Sequence, residues 1–330
     1  MNESNTLDTL LEKSSNYYPL YGGGLATHLP MVLVALNGLS ASKNKLNRTF
    51  EEGVHDLEYI GDLENITAVK SVECELGRTQ SFKRYLKYYQ NELKSYGVDR
   101  VLKKSLPLLM SGIAASAFHA LIRLAYALEA QCQSEIAIAL AYWSSEYQPF
   151  ELNVESTDET LEQILTRLAP VGRDYQFSPG IIVNRMSEIA QLLKQEALIV
   201  QPKLLDLPTL RNFALKVFYF KDDFTLLHTV TGCHAFSIIM PYLKGVDIAL
   251  QELWKAMLVA YLSTGLSFQD KDIRITNNDI DFSFVINKAL DSDDSHVIKL
   301  VYTCYREYTV CNDPLYFVIA ERAVLDSCSD

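Results

Sequence analysis

The sequence has no excess of positive charge. Its 30 Lys and Arg stand against 41 Asp and Glu, a net charge of −11 and a pI near 5.1. That balance argues against nucleic acid or an anionic membrane as a main partner. It also lacks a long apolar run. The longest uncharged stretch, Leu106 to Ile122, is 17 residues and contains Pro107 and His119. At that length it reads as a buried core helix rather than a membrane span. There is no Cys-x-x-Cys pair among the six cysteines, Cys74, Cys132, Cys233, Cys304, Cys311 and Cys328. Met1 to Ser15 is polar and acidic, unlike a signal or transit peptide. The thiols are therefore expected to be reduced and the protein cytoplasmic. No Ser/Gly/Pro linker divides the chain, so residues 1–330 are expected to form a single domain. A Rossmann G-x-G-x-x-G, a P-loop and a nucleophile elbow are all missing, which removes the most recognisable nucleotide and hydrolase frameworks.

What is present is helical periodicity in a chain that is 48% hydrophobic, enough for a sizeable core. Helices are expected over 5–16, from Pro30 to near Gly38, over 79–104 (amphipathic, to about Tyr96), 105–129, 134–143, 181–199, 208–221, 224–241 and 246–264. A further helix begins after the acids at Asp291 to Asp294, and Thr157 to Thr160 reads as a helix start. The fold class is all-α, a multi-helix bundle with buried central helices. The stretch 105–129 is apolar nearly all round and places His119 mid-helix. Residues 40–75 are mixed and carry no clear period. Pro170 to Pro179 reads as an irregular connection or substrate loop.

The most distinctive stretch is Tyr17-Tyr-Pro-Leu-Tyr-Gly-Gly-Gly-Leu-Ala-Thr-His28-Leu-Pro-Met31. It reads as an aromatic loop with three glycines free to turn. Thr27 can cap the helix that follows, and Pro30 suits its first turn. His28 then stands at the mouth of a helix. His119, His228 and His296 likewise lie beside apolar sequence on separate expected helices. Helices in a bundle can converge such residues on a metal, and imidazole ligation suits iron, copper, zinc or nickel. Read singly, each has a plainer role: His119 as a core histidine, and His296, Lys299, Thr303 and Arg306 as a solvated stripe. His228 and His234 are six apart, roughly 240° around a helix, so one regular helix cannot bring both to one ion.

The Tyr17 to Leu36 run resembles the N-terminal signature of the questin oxidase-like family. Three later blocks are similar to that family in the same order: Phe118-His119-Ala-Leu-Ile-Arg, Leu227-His228-Thr-Val-Thr-Gly, and Asp294-Ser-His296-Val-Ile-Lys299. The resemblance implies an all-helical oxygenase, Baeyer–Villiger-like or dioxygenase, that opens anthraquinone-type rings with O₂, with NADPH as the candidate electron donor. It also implies a non-haem Fe(II) held by His28, His119, His228 and His296, with Lys299 as an N-carboxylated lysine. His234 is the spare candidate; His228 is the one that matches the family's His-x-Val-Thr pattern. Tyr21, Tyr126, Tyr175, Phe177 and Tyr302 are candidate pocket residues. The expected partners are a small aromatic substrate and O₂, with neither nucleic acid nor membrane.

Two rival readings stand beside this one. Glu52-Gly-Val-His55-Asp56 contains half of a di-iron E-x-x-H signature and a His-Asp pair like that of HD-type metal phosphohydrolases. A di-iron bundle needs a second E-x-x-H, and the sequence has none. The other rival is a helical binding protein that keeps the fold without catalysis.

Overall fold

Residues 19–27 fold back on themselves. Strand β1 (Leu20–Tyr21) pairs antiparallel with β2 (Leu25–Ala26). Gly22, Gly23 and Gly24 make the turn at φ 52°, 85° and 113°, a left-handed region that side chains resist. The expected aromatic loop is thus a small hairpin, because the glycines close the chain tightly enough for Leu20 and Ala26 to pair. The computed structural model describes residues 6–275 and 280–326; residue 5 of the expected first helix and Cys328 lie outside the described residues.

Helices supply nearly all the remaining regular structure. In chain order α1 is Thr6–Ser14, α2 Leu29–Gly38 and α3 Lys43–Gly53. Helix α4, Phe82–Leu109, is broken at Gly97, where φ is 74° and ψ 168°. Next come α5 (His119–Glu129), α6 (Gln133–Ser145), α7 (Leu161–Arg173) and α8 (Ile182–Gln195). Then follow α9 (Leu207–Lys221), α10 (Phe224–Ile239) and α11 (Val246–Ser263). The last three are α12 (Phe282–Asp291), α13 (Ser295–Cys311) and α14 (Pro314–Asp326). A short parallel pair, β3 (Ser156–Thr157) with β4 (Gln201–Pro202), joins the segments that precede α7 and α9. The all-α expectation holds. No helix among the described residues is long and apolar enough to cross a membrane.

The chain gathers into two compact units, neither continuous in sequence. One draws on Met1–Val101, Ile122–Ser145 and Ile275–Asp330, the other on Leu102–Leu121 and Glu146–Arg274. In the first, α1, α2 and α3 pack on one another, and α13 lies against α2 and α14. Its core includes Met31, Leu33, Leu36, Tyr85, Tyr126 and Trp143. In the second, α11 packs against α7, α8 and α10, with α9 beside α10. Its core includes Phe213, Phe236 and Trp254. Each of these side chains removes upward of a hundred Å² from water, so burial of this kind dominates the stabilisation.

The helix expected over 105–129 is divided. Helix α4 ends at Leu109, a 3₁₀ turn covers Met110–Gly112, and the chain then bends through Ser116, Ala117 and Phe118, all with positive φ. His119 therefore opens α5 rather than sitting mid-helix. Hydropathy could not show the break, because the segment is buried on both sides of it. Pro170 also departs from expectation, lying inside α7, with the irregular connection beginning only at Asp174. Thr160 caps α7 through a reciprocal bond with Gln163, as the Thr157 to Thr160 helix start anticipated.

Candidate metal centre

In the second unit, α5 begins at His119 and α10 carries His228 on its second turn. Asp223 caps α10, its carboxylate accepting from the backbone N–H groups of Thr225 and Leu226. His228 Nδ1 donates to the Phe224 carbonyl at 2.9 Å. His119 Nδ1 donates to the Ser116 carbonyl at 2.6 Å. A carbonyl can only accept, so each ring carries its proton on Nδ1, and in the neutral form Nε2 is the acceptor atom. The two Nε2 atoms face each other at 3.2 Å. Lone pairs so placed repel unless a proton or a cation lies between them. Two imidazole nitrogens bound side by side to one ion at ~2.1 Å stand about 3.0–3.4 Å apart. The donor pair thus fits a transition metal, with both rings oriented by carbonyls in the way metal-ligating histidines are. Helix α10 runs unbroken through Gly232, and it is His228, not His234, that reaches His119.

In the first unit, His28 takes the N-cap position of α2, one residue later than Thr27 was expected to cap. Thr27 still accepts from the Leu29 N–H at 3.3 Å, which satisfies one of the donors at the helix start. His28 Nδ1 bonds the Ser295 hydroxyl at 2.8 Å, and the His28 ring meets the His296 ring edge-on at 4.5 Å between centroids. Helix α13 starts from Asp294, whose carboxylate accepts the His296 backbone N–H at 2.7 Å and lies 3.4 Å from His296 Nδ1. The bond to His296 holds the Asp294 carboxyl below its usual range. Burial lowers the affinity of His296 for a proton, with Asp294 opposing and Lys299 adding to the effect.

Lys299 follows one turn along the same helix and is 1% exposed. Burial pushes its amine down from 10.5 to about 7. The solvated stripe expected for His296, Lys299 and Thr303 does not form: Lys299 and Thr303 are fully buried and His296 is half-buried, on a helix that packs against α2 and α14. Arg306, at the far end, does reach solvent. A cavity of about 310 Å³ opens beside His28 and Ser295, and its walls include Tyr21, Thr49, Glu52 and Asp56.

A family model described as questin oxidase-like matches residues 25–202 and 214–304. The chain belongs to this family. The questin oxidase-like match takes in His28, His119, His228, His296 and Lys299. No significant match exists among curated proteins.

Other expected site residues fall as follows. Tyr21 lines the cavity. Tyr126 and Tyr302 are buried 5.5 Å apart, their hydroxyls bonded to Thr303 and Glu129. Tyr175 and Phe177 pack edge-on against each other at 5.0 Å. His55 and Asp56 pair at 3.0 Å on exposed side chains, and among the described residues no third ligand joins them in a metal-holding group. Sequence reasoning missed Ser295 as the partner of His28 and the two carbonyls that orient His119 and His228. The Asp-Ser-Asp-Asp-Ser cap before α13 pointed toward the first, whereas backbone acceptors leave no signature in side-chain identity.

Proposed function

We propose that the protein is an iron-dependent oxygenase that uses O₂ on a small quinone-like or polycyclic aromatic substrate. Its ligands are His28, His119, His228, His296 and an N-carboxylated Lys299, the set implied by the family resemblance. The observation that carries the reading is the His119–His228 pair, whose Nε2 atoms stand 3.2 Å apart with both Nδ1 atoms committed to carbonyls. Family membership supports the oxidative chemistry. Bound Fe(II) would supply O₂ activation in an imidazole-rich shell.

The chain's own residues have definable tasks. Lys299 is buried with its amine near neutrality at about pH 7, so a nucleophilic neutral form is available to attack CO₂. The new N–C bond gives a carbamate, and the displaced proton leaves to solvent. The product is an anionic oxygen donor among neutral imidazoles, which lowers the cost of a buried dication. Asp294 holds Nδ1 of His296 and so fixes which nitrogen faces inward. Ser295 does the same for His28. The cavity beside His28 has the volume of a single tricyclic molecule and offers hydroxyl and carboxylate acceptors for ring hydroxyls. The family match runs through both units, which supports treating them as one catalytic domain. A cytoplasmic setting agrees with the five described cysteines, none of which is in a disulfide with another. The electron balance leaves two forms open to assay: a dioxygenase that needs no reductant, and a monooxygenase that draws two electrons from NADPH.

The test is metal content of protein purified without chelator, together with O₂ uptake on a hydroxylated anthraquinone with and without NADPH. Near-stoichiometric iron that is lost in His119→Ala and retained in His55→Ala is expected. Metal retained in His119→Ala but lost in His55→Ala would transfer the reading to the HD-type hydrolase. No metal after anaerobic Fe(II) and bicarbonate would leave a non-catalytic helical protein.

A further inference from the structure

Three consecutive residues before α5 hold a conformation that L-amino acids avoid. Ser116, Ala117 and Phe118 have φ of 50°, 53° and 70°. The left-handed region crowds Cβ against the backbone, and neither Ala nor Phe has the short polar side chain that eases it for Asn and Asp. Single residues of this kind are common at turns, but a run of three persists only where the surroundings impose it. Here the surroundings do. Phe118 is fully buried, and its ring lies over Gly232 of α10, where an added Cβ would come within 3.2 Å of Phe118 Cδ1. The Phe118 N–H returns to the Ala114 carbonyl at 3.3 Å.

The bend has one chemical product. The Ser116 carbonyl accepts both the backbone N–H of His119, at 3.2 Å, and its ring Nδ1–H, at 2.6 Å. In a straight helix the backbone and ring of a histidine bond the carbonyl four residues back, as His228 does with Phe224, so His119 would take a different acceptor and a different direction. With the bend, one oxygen fixes the start of α5, the tautomer of His119 and the line along which Nε2 faces His228.

We infer that the left-handed Ser116–Ala117–Phe118 turn, clamped by Gly232, is a positioning device that fixes the tautomer and aim of His119. Its purpose rests on the metal-site reading above, whereas its geometry does not. The strained turn is retained because a helical segment in its place would redirect the histidine.

The experiment compares wild type with Ala117→Gly and Gly232→Ala, both metal-free and with Co(II) as the probe. Glycine removes the strain at position 117, so the metal-free Ala117→Gly protein should melt a few degrees higher than wild type. Long-range ¹H–¹⁵N correlation spectra should show His119 as one Nδ1–H tautomer in wild type and in Ala117→Gly, whose turn glycine favours, and as a mixture in Gly232→Ala, whose added Cβ displaces the Phe118 ring. Co(II) should bind Ala117→Gly as it binds wild type, and Gly232→Ala about tenfold or more weakly, with an altered visible absorption band. Gly232→Ala should show no gain in melting temperature. A single unchanged tautomer in Gly232→Ala, a mixture in Ala117→Gly, or a lower melting temperature in Ala117→Gly overturns the inference. If wild type binds no Co(II), the metal reading fails, while the metal-free tautomer comparison still decides this one.

Discussion

Replacing Lys299 with methionine should stabilise the metal-free protein, and the gain should depend on pH in a defined way. Methionine has nearly the same length and no charge. Lys299 is 1% exposed, and burial takes its amine from 10.5 to about 7. That fall corresponds to a charging cost of roughly 5 kcal/mol at about 1.4 kcal/mol per pH unit. The neighbouring Asp294 carboxylate offsets a little of it. Below about pH 7 the lysine is protonated both folded and unfolded, so the folded state bears the full cost. Between about pH 7 and 10.5 the folded lysine is neutral while the unfolded one is charged. The unfolded state then binds more protons, and wild-type stability rises with pH. The advantage of Lys299→Met should therefore be greatest at or below pH 7, and should shrink above it by up to about 1.4 kcal/mol per pH unit. Urea unfolding in CO₂-free, chelator-treated buffer at about pH 6, 7, 8 and 9 measures this. A variant no more stable than wild type, or equally more stable at every pH, would refute the argument that Lys299 is held in the core at a cost. Such a cost is what a group kept for function imposes.

Two further outcomes can be checked directly. Glu135→Ala should destabilise by about 3–5 kcal/mol in thermal or urea unfolding, because it leaves Arg123 charged and buried without the carboxylate 2.8 Å away. The double variant Arg123→Met, Glu135→Leu should recover most of that loss, and failure to recover it would mean that the pair contributes more than charge compensation. Thr49→Trp should fill much of the cavity beside His28. It is expected to abolish binding of a hydroxylated anthraquinone in fluorescence titration while leaving metal content and melting temperature near wild type. Undiminished binding would place the substrate elsewhere.

The sequence alone determined the class of the fold, because apolar spacing at 3.6 residues depends only on local order. It located α2, α8, α9, α10 and α11 closely, and the acids at Asp223 and Asp294 marked helix starts that are capped by those side chains. It also selected the histidines, since an imidazole beside apolar residues stands out in any chain. It did not locate α3, whose sparse apolar residues leave one buried side chain, Leu46. Nor did it find α12 and α14, which no reading of period had marked.

Tertiary structure decided the rest. Whether His296 and Lys299 face water or core depends on what packs against α13, and one of its neighbours, α2, comes from the far end of the chain. Whether His119 is mid-helix or at a helix start depends on a bend inside a segment that is buried throughout, where hydropathy is the same either way. The pairing of His228 rather than His234 with His119 follows from the packing of Phe118 on Gly232, a contact between residues 114 positions apart. Local propensity cannot encode such choices, because they are made by atoms that meet only after the chain has folded.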